Sequence, residues 1–126
     1  MITLIRGIVR VIPGADDGLE TFHLISLATT NPNLLKASPG SVYGWYIYNN
    51  NASIRKVAFH NLKVVPTAGA DVFMSLIIPP NSGANAFSTQ GIKFSVGIGI
   101  TTTTGVADSD VTPVGANDLD INIYYK

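Results

Sequence analysis

The sequence predicts an all-β protein, a jelly-roll-like antiparallel β-sandwich of about 7–9 strands. Three observations carry that prediction. Apolar residues recur with period two in short runs, the signature of half-buried strands. Clusters of proline, glycine, asparagine and aspartate separate the runs, and these residues fix or permit turn geometry. Almost no stretch shows helical periodicity.

The first expected strand, Thr3 to Ile12, alternates imperfectly, because Arg6 and Arg10 share a face with Ile2, Leu4, Ile8 and Ile12. Two arginines suit a sheet edge better than a central strand, so residues 1–30 are read as an edge strand or arm used in assembly. After Pro13 to Gly18 a second strand is expected from Thr21 to Thr29, ended by Asn31-Pro32-Asn33, with a short piece near Leu34 to Ala37. Ser38-Pro39-Gly40 then opens Val42 to Asn49, which has large residues on both faces: Tyr46 and Tyr48 on one, Tyr43, Trp45 and Ile47 on the other. Such a strand needs cover on its second face from a loop, a sheet or another chain.

The asparagines Asn49, Asn50 and Asn51 form a turn before Ile54 to His60, and Pro66 to Gly69 separates that strand from Val72 to Ile78. Beyond Pro79-Pro80-Asn81-Ser82-Gly83 and a short piece at Ala86 to Ser88, one strand is expected from Ile92 to Thr101. Its positions Ile92, Phe94, Val96, Ile98 and Ile100 are apolar, while Gly97 and Gly99 lie between them. Glycine within a strand contributes no packing and marks a place where another backbone or subunit comes close. A polar connection from Thr102 to Asp118 leads to the last strand, Leu119 to Tyr125, apolar at alternate positions.

The 126 residues fit a single domain, 1–126, with a core that needs no disulfide; cysteine is absent. Eight basic and eight acidic residues balance, which argues against nucleic acid as the main partner. No apolar run approaches the ~20 residues of a membrane helix, and no secretory leader is recognisable, so a membrane partner is not expected and synthesis in the host cytoplasm is. Charged residues make up only 13% of the chain, against roughly 25% in ordinary soluble domains. Burial of part of the surface in an assembly is the simplest remedy for so little charge.

Residues with chemical potential are few. Asp108, Asp110, Asp118 and Asp120 cluster in sequence, but Asp108-Ser109-Asp110 lacks the glycine and distal glutamate of a calcium loop, so no metal site is assigned. His23 and His60 come with no nucleophile signature, and Gly97-Ile98-Gly99 is not followed by a helix that would hold a phosphate. No catalytic residue and no cofactor is assigned. Trp45, Tyr48, Asn49, Asn50 and Asn51 form an alternative glycan patch, since aromatic faces stack on sugars and amides bond hydroxyls.

Four segments resemble small β-sandwich virion proteins of tailed bacteriophages. They are Leu35 to Gly40, Val42 to Ala52, Ile98 to Asp110 and Ile121 to Lys126. Such proteins include head decoration or cement proteins, many of them jelly rolls that sit as trimers on the capsid. The resemblance covers roughly residues 34–126 and implies a non-enzymatic structural role in the virion, a homotrimer, and the major capsid protein as partner. The assembly-interface candidates are Arg6, Arg10, Tyr43, Trp45, Tyr46, Tyr48, Gly97 and Gly99. The alternative reading is a tail- or fibre-associated virion protein with host-glycan binding.

Overall fold

The computed structural model describes residues 18–126. The expected strand Thr3 to Ile12, with Arg6 and Arg10, lies outside the described residues. Eight strands follow in order: β1 Glu20–Ile25, β2 Asn33–Lys36, β3 Gly40–Asn49, β4 Arg55–His60, β5 Met74–Ile78, β6 Ser82–Phe94, β7 Ile98–Thr103 and β8 Leu119–Tyr125. All described pairings are antiparallel. The first sheet runs β1-β8-β3-β6 and the second β2-β7-β4-β5. The first strand pairs with the last, the second with the seventh, the third with the sixth and the fourth with the fifth. Residues 20–125 thus form one long nested hairpin rolled over a core, which is the jelly roll.

Both inner faces are apolar, as the period-two pattern requires. Val42, Ile47, Leu119, Ile121 and Ile123 from the first sheet meet Val57, Phe59, Ile78, Ile98 and Ile100 from the second, all fully buried. The Phe59 ring lies between Trp45 at 5.9 Å and Phe94 at 5.8 Å, both tilted, an arrangement aromatic quadrupoles favour. Between Val42 and Gly44 β3 shifts register against both neighbours. The bulge moves the inward parity, so Trp45 and Ile47 continue the core begun by Val42.

One element differs from the sequence expectation. Ile92 to Thr101 is not a single strand: β6 ends at Phe94, Ser95 to Gly97 form a connection, and β7 begins at Ile98 in the other sheet. Asn61, from the β4–β5 loop, holds this connection by accepting hydrogen bonds from Val96 N at 2.8 Å and Gly97 N at 3.3 Å. The short piece expected at Ala86 to Ser88 is the middle of the 13-residue β6.

The turn asparagines act as their chemistry suggests. Asn31, with φ of 48°, is buried and uses its amide to bond Leu27 O, Thr29 O and the Thr102 hydroxyl. Asparagine tolerates this left-handed backbone, and its side chain replaces the missing ladder bonds.

Candidate functional site

The two outer faces of the sandwich are finished differently. On the second sheet the outward residues Lys56, Ala58 and His60 of β4 and Thr101 and Thr103 of β7 are all buried, because two loops lie over them. Lys56 Nζ donates to Ala107 O, and the Ser75 hydroxyl bonds the Asp108 carboxylate at 3.0 Å. Pro66 closes on Gly99, where a Cβ would stand 3.0 Å from its Cγ, and Gly69 packs on Ser109 and Val111 of the opposite loop. These loops turn several aliphatic side chains to solvent: Val64, Val65, Val106 and Val111 are each more than half exposed, and Ile77 on β5 is 41% exposed.

His60 is fully buried beneath this layer. Its Nε2 lies 2.8 Å from the Thr101 hydroxyl and its Nδ1 3.1 Å from Asp71 O. A carbonyl can only accept, so Nδ1 carries the proton and Nε2 accepts from the threonine. Burial lowers the His60 pKa below its ordinary 6.5, against the opposing pull of the Asp71 and Ala70 backbone.

The first sheet lacks such cover among the described residues. Its register sets twelve outward positions in three full rows across β1, β8, β3 and β6, with the outward pair Ser41 and Lys93 beyond them. One row is Thr21, Tyr124, Gly44 and Phe87; the next is His23, Asn122, Tyr46 and Asn85; the third is Ile25, Asp120, Tyr48 and Gly83. Phe87 is 65% exposed and Tyr46 51%. Ala86 O and the Phe87 ring close on Gly44, where a Cβ would stand 2.5 Å from the oxygen and 3.1 Å from Phe87 Cδ1. Any side chain there would displace the aromatic ring.

Polar groups knit the middle of this face. His23 Nε2 lies 3.1 Å from Asp120 Oδ1, and the Asn122 amide donates to the same oxygen at 3.2 Å and to Tyr46 O at 3.3 Å. Asn85 Oδ1 accepts from Ile47 N at 3.3 Å. The rows carry no lysine or arginine.

The residues singled out in the sequence are dispersed by the fold. Tyr46 and Tyr48 share the open face, while Trp45 points the other way and packs on the core. Tyr43 lies on the bulge against Gly91. Gly97 and Gly99 are indeed closely approached, but by this chain's own Leu62 O, Lys36 O and Pro66. The glycan group Trp45, Tyr48, Asn49, Asn50 and Asn51 is divided. Asn49 is fully buried with its amide on Ser53 O, Ile78 O and Pro79 O, and Asn51 bonds Asp118. Asn50 stays exposed at the strand end, donating its N–H to Asp118 O. Strand alternation divides the group, sending Trp45 and Asn49 inward with Ile47.

The four aspartates serve four separate tasks. Asp108 bonds Ser75 and Asp120 pairs with His23. Asp110 clasps its own loop through Gly105 N at 3.0 Å and Thr112, and these bonds, led by that from Gly105, hold its carboxyl below the ordinary value despite slight desolvation. Asp118 is mostly buried; desolvation alone would raise its pKa, but Arg55 Nε at 2.8 Å, Gly115 N at 2.7 Å and Asn51 together lower it. Among the described residues no three histidine or acidic side chains group to hold a metal.

No protein-family model matches the chain, and comparison with curated proteins and with solved structures gives no match.

Proposed function

We propose that the protein is a structural component of a tailed-phage virion, a homotrimeric capsid decoration protein that bridges coat subunits. The observation that carries this reading is the aliphatic loop layer over the second sheet. Val64, Val65, Val106 and Val111 stand out from loops that are themselves fastened by Lys56, Ser75, Asp110 and Pro66. A surface already ordered before contact loses little entropy on binding, and aliphatic groups in a chain with 13% charge gain from leaving water. The jelly-roll order and the resemblance over residues 34–126 support the same reading.

Mechanically, such a protein stabilises a shell by mass action. Affinity for the joined coat subunits, and none for separated ones, shifts the equilibrium away from disassembly. The test is electron cryo-microscopy of virions from the source phage. Density matching the jelly roll on the outer shell, with the loop layer against coat protein or a sister copy, is the expected result. Density at the tail or fibre establishes the alternative location, and absence from the particle refutes both.

A further inference from the structure

We infer that the open face of the first sheet binds a neutral oligosaccharide, which lies on Tyr46, Tyr48 and Phe87 and is hydrogen-bonded by Asn85, Asp120 and Asn122. The inference goes beyond the decoration reading and uses the opposite side of the sandwich.

Chemistry selects the ligand. Aromatic rings present an electron-rich face to the weakly positive C–H groups of a sugar ring, and phenol hydroxyls add polar handles. The ring-bearing positions alternate with amides and a carboxylate. In the middle row Tyr46 is flanked by Asn122 on β8 and Asn85 on β6; in the next, Tyr48 lies between Asp120 and Gly83. Asn122 spends its amide nitrogen on Asp120 and Tyr46 O, which leaves its carbonyl oxygen to accept, while Asn85 spends its oxygen and keeps its nitrogen to donate. A ligand with both donors and acceptors around an apolar ring satisfies this set, and a polyol ring is such a ligand. None of the twelve positions carries lysine or arginine, and Lys93 stands one row beyond, opposite Ser41, so the centre of the face offers no cation to phosphate, sulfate or a nucleic-acid backbone.

Size argues against a protein on this face alone. Four strands about 4.8 Å apart and three rows about 7 Å apart cover roughly 400 Å² with their margins. A stable protein contact needs about 800 Å² per partner. A short oligosaccharide, by contrast, fits the array, and the glycines beside Phe87 and Tyr48 keep the platform low.

The test is two-dimensional amide NMR of the full chain, titrated separately with maltohexaose, cellohexaose, xylohexaose and chitotetraose to about 10 mM, above a Kd of ~1 mM. At least one sugar is expected to shift the amides of residues 44–48, 85–87 and 120–124. Tyr46→Ala and Tyr48→Ala should each weaken that binding about tenfold. Asn85→Asp, which loses the unused amide donor and keeps the oxygen that accepts from Ile47 N, and Asp120→Asn, which loses a carboxylate acceptor, both keep size and are the gentler changes should the tyrosine variants fold poorly; each should weaken it several-fold with the spectrum otherwise intact. Silence with all four sugars overturns the proposal, as does binding indifferent to these substitutions. Concentration-dependent shifts of the same amides without sugar, abolished by Tyr46→Ala, would assign the face to a second copy and also overturn it. None of these outcomes touches the loop layer, so the decoration reading stands or falls separately.

Discussion

Replacing Gly97 by alanine tests the account of how the two sheets are joined. Gly97 is the last residue of the connection from β6 to β7, and an added Cβ would press into Leu62 O and lie 2.7 Å from Lys36 O. Those carbonyls belong to two separate backbone segments, the β4–β5 loop and the end of β2, so relief requires both to move or the connection to open. Opening the connection also strains the bonds from Val96 N and Gly97 N to Asn61. Overpacking costs about 1–3 kcal/mol, and clashes with backbone rather than pliable side chains belong in the upper half. At about 4 °C per kcal/mol for a chain of this size, the melting temperature should fall by about 8–12 °C.

The nearest contacts of Gly99→Ala are Pro66 at 3.0 Å and Asn33 O at 3.4 Å, so a loss of about half that size is expected, since the Pro66 loop can yield. Gly18→Ala meets nothing within 4 Å among the described residues and serves as the control. Thermal and urea denaturation of the three variants, with mass by light scattering, measures the effect. A Gly97→Ala protein that melts with the wild type would refute the close approach. Unchanged melting with a changed oligomer mass would place the crowding between chains instead.

Other consequences follow from named contacts. Val106→Asp and Val111→Asp put charges on the loop layer without touching the core; both should reduce the oligomer mass seen by light scattering while leaving the melting of a dilute sample within about 2 °C. Arg55→Met leaves the mostly buried Asp118 carboxylate without its ion partner, and urea unfolding should show a loss of about 2–3 kcal/mol, tempered by the remaining bonds from Gly115 and Asn51. Acid should act in two stages. Because the folded pKa of His60 is depressed below 6.5, the unfolded chain takes up its proton first and stability declines as pH falls below that value; Asp118, depressed below 3.8, adds a second decline under about pH 3.8. Stability that is flat from pH 7 to 4 would contradict the buried neutral histidine.

Much of the fold is legible because alternation and turn chemistry agree. Leu119 to Tyr125 matches its strand at both ends, and Asn49 and His60 end β3 and β4 as their neighbours suggest. The error at Ile92 to Thr101 has a physical origin. Phe94 and Ile98 belong to different sheets yet both face the one core, so the apolar rhythm of the sequence continues across a three-residue connection although Val96 within it is exposed. That connection contains no proline, asparagine or aspartate, because Asn61 from a distant loop supplies the turn's hydrogen bonds. The middle of β6 hides for the opposite reason: Ala84 and Ala86 are small, and Asn85, Phe87 and Thr89 are exposed, so no hydrophobic rhythm announces the strand.

The open face was only half visible in the sequence for a reason that concerns topology. Alternation alone places Tyr46 with Tyr48, and Asp120 with Asn122 and Tyr124, but it does not say that β8 lies between β1 and β3. The pairing of the last strand with both the first and the third brings residues some 70 to 100 positions apart into one row, as Asn122 beside Tyr46 and beside His23 shows. The same pairing leaves the long β4–β5 and β7–β8 connections on the other side, where they seal the second sheet. A jelly roll with two long loops over one sheet and, among the described residues, none over the other presents two unlike surfaces on one core. Swapping their character, with aspartates on the loop layer and alanines at Tyr46 and Tyr48, should therefore abolish assembly and sugar binding independently, each variant retaining the function of the other side.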